Sequence, residues 1–250
     1  MRAAIIVAGV SALATAVGVI PASAQSANWT NRARVSINAG GQFGGESFTT
    51  TATKPVYVEN AVFTTTYAGP TGPMFDGGVA ARLKGNFGVG VAVSWFKGKD
   101  EGAVTGTVPH PFLFNTPRPI NGTASGLERN ELATHIQAVY VIPRGKLDVA
   151  IAGGPSWFSV KQDLVTDVIY AETYPYDVAT FTSATTNRVT KSAVGYNVGV
   201  DVGVRFSATF GVGGLVRFTR APTDLSAANG VAVRVDAGGV QVGGGFRVYF

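Results

Sequence analysis

Residues 193–206 read AVGYNVGVDVGVRF and decide the fold class. Valine or an aromatic residue occupies every even position from Val194 to Phe206, and small or polar residues occupy the odd positions. A helix would scatter these two sets around its surface, whereas a strand places them on opposite faces. The stretch is therefore predicted to be a long β-strand with one apolar face and one small or polar face.

Other segments show the same two-residue period, and the connections between them alternate in length. Lys84-Gly85-Asn86 is one tight turn, and 44–74 is one of the long connections. Short turns that alternate with long loops, around segments of about ten residues, are typical of transmembrane β-barrels. Aromatic residues also gather at the segment ends, as the girdles of such barrels do. The further segments lie at about 32–43, 75–83, 87–95, 131–142, 147–158, 210–219 and 237–250.

The N-terminus has the pattern of a secretory signal peptide. Arg2 precedes an apolar run that ends at Pro21, and a small-residue cleavage site with Ala22 and Ala24 follows. We therefore predict a signal peptide over residues 1–24 and a single barrel domain over residues 25–250. An uncleaved membrane anchor is the alternative, because the run is about long enough to span a bilayer.

The composition favours a membrane barrel over a soluble fold. Only 14% of the residues are charged and the mean hydropathy is +0.21, whereas soluble domains are about 25% charged. Beyond the leader, no stretch approaches the ~20 apolar residues of a membrane helix. Helices and closed barrels are the structures that satisfy every backbone group in lipid. The strands of a soluble β-sandwich also alternate between apolar and polar residues. In this chain, however, the face opposite the large apolar residues is rich in glycine, which does not form the packed core of a sandwich.

The predicted fold is all-β, a transmembrane antiparallel up-and-down β-barrel of eight strands with short periplasmic turns and long extracellular loops. Segments 48–67 and 163–191 are also rich in Thr, Val and Tyr, which favours strands. Three interpretations remain for them: strands that extend beyond the membrane, small hairpins within the loops, or a ten-stranded barrel.

The last residues, GGGFRVYF, place Phe246, Val248 and Phe250 on the lipid-facing side of a closing strand. This end resembles the C-terminal signal that the barrel-assembly machinery recognises, with Gly245 and Phe250 matching and Val248 standing where an aromatic residue is usual. Together with the leader and the eight segments, the chain resembles the small outer-membrane barrels typified by the membrane domain of outer membrane protein A. The resemblance implies a Gram-negative outer membrane, contact with outer-membrane lipid, and the assembly machinery as a partner during biogenesis.

The lumen is predicted to hold a polar network. An eight-stranded barrel is just wide enough for its side chains to fill, and charges far from water require partners. Arg–Asp pairs that plug the barrel are one interpretation, and a narrow anion-preferring pore lined by arginine is the other. The predicted lumenal residues are Arg34, Asn38, Asp76, Arg82, His135, Gln137, Asp148, Asn197, Asp201, Arg205, Arg217, Gln241 and Arg247.

No catalytic, metal or cofactor motif emerges. The chain has two histidines and no cysteine. His110 lies in a proline-rich loop, and His135 has no serine partner at a recognisable spacing, so a lipid-modifying enzyme is a weak hypothesis. Glycine-rich stretches precede strands rather than the helix that a nucleotide fingerprint requires, and the basic residues are scattered, which argues against nucleic-acid binding. No acidic cluster has the spacing of a calcium loop.

The predicted function is therefore non-enzymatic: an envelope-structural or surface-interaction role through the long loops, with an unidentified extracellular ligand. Loop 159–192, which combines tyrosines with acidic residues, is a candidate for such contacts because binding residues concentrate in loops on rigid scaffolds. A narrow porin-like channel for small solutes or anions is the alternative.

Overall fold

The computed structural model describes residues 29–226 and 232–250, and all of the elements in these ranges are β-strands. The predicted signal peptide, with Ala22 and Ala24, lies outside the described residues. The described ranges contain no helix that could span a bilayer. The strands are β1 Ala33–Phe43, β2 Phe48–Val56, β3 Glu59–Tyr67, β4 Gly72–Lys84, β5 Phe87–Val108, β6 Arg118–Arg144, β7 Leu147–Glu172, β8 Ala179–Arg205, β9 Phe210–Ser226 and β10 Ala232–Tyr249.

Eight of the ten strands close on themselves into a barrel. Neighbours in the ring follow chain order, β1–β4–β5–β6–β7–β8–β9–β10, and β10 pairs back onto β1. All of these pairings are antiparallel. Each strand of the ring therefore has two hydrogen-bonded neighbours, which removes the exposed edge. The predicted eight-stranded up-and-down barrel is confirmed, and the ten-stranded alternative is wrong because β2 and β3 stand outside the ring.

The barrel has two different ends. The short turns between β4 and β5, β6 and β7, and β8 and β9 lie at one end, together with the start of β1 and the end of β10. We call this the turn end. At the opposite end, which we call the loop end, the strands continue well beyond the predicted segments. β5 runs to Val108, and β7 and β8 stay paired from Leu147↔Val204 to Glu172↔Ala179. The segment boundaries were predicted too short because the outward residues there become Thr and charged, so the apolar half of the pattern disappears while the strand goes on.

The outer face between the two ends carries an apolar band bounded by aromatic residues. From Tyr196 to Phe206 along β8 the distance is about 33 Å at ~3.3 Å per residue, and a strand tilt of about 40° reduces this to a height of about 25 Å, the height of a lipid-facing band. The aromatic side chains at the loop-end border, the upper girdle, are Phe43, Phe75, Trp95, Trp157, Tyr196 and Phe218; those at the turn-end border are Phe87, Tyr140, Phe206, Phe210 and Phe250, and all are exposed.

Beyond the upper girdle, the β2–β3 hairpin joins the wall. It pairs with β5 from Val62↔Thr107 to Tyr67↔Gly102, and β5 shifts register relative to β6 between Asp100 and Gly102. At this level β5 therefore changes its neighbour from β4 to β3. The hairpin turns one face inward and completes an apolar core at the loop end, formed by Phe48, Ala61, Phe63, Tyr67, Val104, Val108, Ile120, Ala124, Leu127, Leu164, Val165, Val168, Ala179, Leu225 and Val235.

Candidate functional site

Charged side chains fill the lumen near the turn end. Asp201 accepts two hydrogen bonds from the Arg247 guanidinium, at 2.6 and 3.1 Å, and lies 3.2 Å from Arg34 Nη1. Arg205 donates from Nε to Asp148 Oδ2 at 2.7 Å. All but Arg205 are buried. Charge-assisted bonds of this kind satisfy groups that would otherwise be costly to hold away from water.

Trp29 closes the turn end. The sequence analysis did not identify this residue, because it lies outside every alternating segment. Its indole is 1% exposed and packs in an apolar cluster with Val139 and Val141. A Cβ placed on Gly88 would come within 2.7 Å of the indole, so only glycine fits there. Arg82 donates to the Trp29 carbonyl at 2.5 Å. This arginine was predicted to be lumenal and to pair with an aspartate. In the structure it binds the residue that closes the turn end.

A second polar layer crosses the middle of the barrel. Arg217 Nη2 lies 2.6 Å from Asp76 Oδ2, and Asn38 donates to the other oxygen of the same carboxylate at 3.0 Å. Arg217 Nε donates to Gln241 Oε1 at 2.8 Å, and Gln241 donates in turn to Gln42 at 2.7 Å. Four strands, β1, β4, β9 and β10, are thereby tied together across the lumen.

The layer continues toward the loop end through two residues that were absent from the predicted set. Glu131 accepts from Gln42 at 2.9 Å and from Arg129 at 2.7 Å. Its Oε2 also accepts from the backbone of Gly238 at 3.0 Å. The two-residue alternation along β6, counted from His135, places both residues on the inward face, and this signal could have identified them.

His135 has the serine partners that sequence spacing did not suggest. Its Nε2 lies 3.0 Å from Ser94 Oγ and its Nδ1 lies 2.8 Å from Ser156 Oγ. Asn197 donates to Ser156 at 2.9 Å and accepts from Gln137 at 2.6 Å. The serines come from β5 and β7, the strands on either side, so the contact depends on register and has no fixed spacing along the chain. The ring is fully buried and both of its nitrogens are occupied, so the cluster bonds strands together and offers no reachable nucleophile.

A cavity of about 50 Å³ separates the turn-end charges from the middle layer. It has room for a few water molecules. Arg34 and Asn38 border it, and Arg34 Nη1 and Asn38 Oδ1 each lack a well-aligned hydrogen-bond partner. Above the middle layer, the lumen is filled by Phe158, Val160 and several alanines, and above these by the loop-end core. The filled lumen is thus closed by apolar packing at the loop end and by Trp29 at the turn end.

The distribution of polarity decides what kind of protein this is. Arginine, aspartate and glutamine are buried inside the ring, while valine and phenylalanine are exposed outside it. Such an inverted polarity suits a closed sheet surrounded by lipid. The chain folds as a transmembrane-type antiparallel β-barrel. Among the described residues, this barrel has no group of His, Cys, Asp and Glu side chains placed to hold a metal ion.

Comparison with known proteins finds likenesses of fold only. No family model matches the sequence, and no curated protein matches it. Solved structures that the barrel is similar to include OprG from Pseudomonas aeruginosa (TM-score 0.49, 9% identity, 88% of this chain and 97% of that one). Neisserial surface protein A has a TM-score of 0.43 at 11% identity (87% and 97% covered). The outer-membrane protease OmpT from Escherichia coli has 0.44 at 9% (90% and 99%).

The C-terminus closes the ring. Phe250 is exposed on the lipid side; its carbonyl accepts from Arg32 N at 2.6 Å and its N–H donates to Ala33 O at 3.0 Å. Val248 is half-buried on the same face. A Cβ on Gly245 would lie 1.8 Å from the Ile37 carbonyl oxygen, so the close approach of β1 requires glycine. That these three terminal positions are read by the assembly machinery stays a prediction.

Three loop tips meet at the loop end and are joined by one group of polar contacts. Arg118 lies 2.6 Å from Glu172 Oε2 and donates to the carbonyls of Tyr176 and Pro109 at 2.8 and 2.6 Å. Tyr57 Oη donates to Glu172 Oε1 at 2.5 Å. We call Tyr57, Arg118 and Glu172 the latch. Tyr57 lies in the β2–β3 turn, Arg118 begins β6 and Glu172 ends β7. The latch therefore holds the β2–β3, β5–β6 and β7–β8 tips in one arrangement.

Apolar side chains project beyond the latch. His110 Nδ1 accepts from the backbone N–H groups of Phe112 and Leu113, both at 3.1 Å, and so fixes the β5–β6 tip. The Phe112 ring meets Tyr176 edge-on at 5.5 Å. This tip surface consists of Tyr57, Val58, Phe112, Leu113, Phe114, Tyr174 and Val178, all more than half exposed.

The latch is expected to change the titration of Tyr57. The pKa of Tyr57 is raised to about 12, chiefly by its hydrogen bond to Glu172 and further by burial and by the charge of the Glu172 carboxylate. We expect Glu172→Gln to return this pKa toward 10, the ordinary value for tyrosine. Because the folded pKa is raised, the bond contributes stability below pH 10 that is lost as pH rises through about 12.

Ultraviolet difference titration of the protein against Tyr57→Phe isolates this phenol. Asp177→Asn is the control, since it removes a carboxylate from the same loop without touching Tyr57. An ordinary Tyr57 pKa in the unmodified protein would show that the latch does not form in solution.

Proposed function

We propose that the barrel resides in the outer membrane after export by a cleaved signal peptide, with its loop end outside the cell. There it acts as a closed, non-enzymatic scaffold that presents the tip surface to another macromolecule. The strand count is consistent with this orientation, because eight crossings return both termini to the periplasmic side.

The filled lumen carries the proposal. Ion-paired layers, a 1% exposed tryptophan at the turn end and an apolar core at the loop end leave a cavity of only about 50 Å³ in the lumen. Conduction requires a polar path through which ions can enter and leave. An apolar core of packed side chains opposes such a path.

The tip surface supports an interaction role. Aromatic residues are enriched at the centres of protein interfaces, and here they stand on strands that extend beyond the membrane and are tied by the latch. Ordering a loop on binding reduces affinity. A surface that is already ordered before contact avoids that loss.

A narrow anion-preferring pore is the second candidate, and the arginine-bordered cavity is the observation that favours it. Planar-bilayer conductance of the refolded mature protein separates the two functions. We expect a silent bilayer from protein whose folding is shown by a heat-dependent shift in gel mobility. The control is Trp29→Ala with Phe63→Ala, prepared in the same way, which tests whether opening both closures permits current. Discrete openings in the unmodified protein that change with Arg217→Ala would establish the pore and overturn the scaffold.

A further inference from the structure

Two rows of outward side chains cross β5, β6, β7 and β8 just beyond the upper girdle. Strand register places Lys97 beside Asn130 and Asn130 beside Lys161 in the first row. In the second row, Asp163 lies beside Arg188. Trp95 and Trp157 mark the border of the apolar band beneath these rows, so the cations lie at the height of lipid headgroups.

The pairing within these rows leaves positive charge available. Arg188 donates to both oxygens of Asp163 at 2.7 and 2.8 Å and lies 3.2 Å from Glu128. Lys97 Nζ lies 3.0 Å from Glu128 Oε1. The ammonium group of Lys161 is exposed and has no carboxylate within 4 Å among the described residues. These contacts lower the pKa of Asp163, chiefly through its bonds to Arg188. Lys97, Lys161 and Arg188 face only the carboxylates of Glu128 and Asp163, so the patch is net positive.

A groove runs from this patch down onto the apolar band. Its upper part, of about 320 Å³, is bordered by Trp95, Leu132, Ser159, Lys161 and Arg188. Its lower part, of about 340 Å³, is bordered by Leu132, Trp157, Ser159, Ser192 and Val194. The two parts share Leu132 and Ser159. Small serines on β7 and β8 make the depression, and the larger side chains of Trp157 and Val194 form its lower wall.

We propose that this groove binds a phosphate-bearing acyl lipid of the outer leaflet. The phosphate lies between Lys161 and Arg188, with Lys97 contributing from the side, and an acyl chain follows Leu132, Trp157 and Val194. The chemistry of the groove changes from cationic to apolar in the same order in which a phospholipid changes from headgroup to chain. Each cation near the membrane surface adds about 1 kcal/mol of attraction for anionic lipid.

A second copy of the barrel fits the groove less well. A symmetric dimer brings the same patch of each protomer together, so Lys97 and Lys161 of one copy would face the same residues of the other. Like charges opposed at an interface are unfavourable. The proposal is independent of what the tip surface binds, but it rests on the proposed orientation, which places the loop end and this groove in the outer leaflet.

Tryptophan quenching tests the site directly. Of the three tryptophans in the sequence, Trp95 and Trp157 border the groove and are 46% and 44% exposed, while Trp29 is shielded inside the barrel at 1%. The full mature protein is reconstituted in phosphatidylcholine vesicles that contain a minor fraction of acyl-brominated phosphatidic acid. The comparison is with acyl-brominated phosphatidylcholine at the same bromine content.

We expect several-fold preferential quenching by the phosphatidic acid. Lys161→Ala is expected to reduce the preference about five-fold, the change that ~1 kcal/mol produces. The control is Lys84→Ala, which removes an exposed lysine at the turn end and leaves the preference unchanged. High salt should reduce the preference of the unmodified protein for phosphatidic acid. This measurement uses no variant, so it does not depend on whether Lys161→Ala folds.

Three outcomes would overturn the proposal. Equal quenching by the two brominated lipids would mean that the groove does not recognise a phosphate. A preference that survives both Lys161→Ala and high salt would place the anionic lipid elsewhere on the barrel. Protection from both lipids, together with a cross-linked dimer, would show that a second copy occupies the groove.

Discussion

Asp201→Asn is expected to destabilise the barrel by about 3–5 kcal/mol, the loss typical when one partner of a buried ion pair is removed. Asp201 is the carboxylate that serves both Arg34 and Arg247, at 3.2 and 2.6 Å. Asparagine keeps the shape of the side chain but removes the charge. Two guanidinium groups would then remain in the lumen without their counter-charge, and the penalty for such groups is large where water is excluded.

Denaturant unfolding in detergent or vesicles, followed by tryptophan fluorescence, measures this loss. Asp167→Asn is the matched control, because the same chemical change breaks the Lys54 pair, whose side chains are 48% and 33% exposed. Exposed pairs contribute about 0–1 kcal/mol. Equal losses in the two variants would contradict the buried network.

Val200→Arg is expected to destabilise the barrel by about 2–4 kcal/mol, the cost of a cation at the bilayer midplane. Val200 lies between the Tyr196 and Phe206 borders of the apolar band and pairs with Ile151 and Val216 on the neighbouring strands. A charged side chain there has hydrocarbon on every side. The residue is next to Asp201 in the chain, so two adjacent positions test the two faces of one strand.

Folding yield and unfolding free energy in phospholipid vesicles measure the effect. The control is Val58→Arg, the same substitution at a tip residue that is 86% exposed, where a change within about 0.5 kcal/mol is expected for a surface position. If Val200→Arg folded as well as Val58→Arg, the lipid-facing assignment of β8 would be wrong.

The sequence could predict the strands, their number in the ring and the two faces of each strand, because the two-residue period is a local signal. The partners of the lumenal side chains required register, which is not local. His135 illustrates this, since its two serine contacts depend on how β5 and β7 align with β6. Arg82 shows the same limit: its inward direction follows from parity, whereas its contact with the Trp29 carbonyl follows from where an unpatterned segment folds.

The loop end was less predictable for a different physical reason. Outside the membrane the outward positions need not be apolar, so β5 to Val108 and β7 to Glu172 look like polar loops with scattered valines. The composition of 48–67 did suggest a strand, and a hairpin was one of the interpretations it allowed. Its role in the loop-end core could not be predicted from the sequence, because Phe63 and Tyr67 are buried in a cluster whose other members come from β2 and from β5 to β10.

The lumenal ion pairs also impose an order of events on membrane insertion. Asp76 and Arg217 are separated by 141 positions, and Gln42 and Gln241 by 199. None of these groups finds its partner until β9 and β10 have joined β1 and β4. A partly assembled sheet would carry unpaired charges toward hydrocarbon, whereas the finished ring neutralises them together. We therefore expect insertion of this barrel to be cooperative, because β10 both supplies Arg247 to Asp201 and pairs with β1 to close the wall.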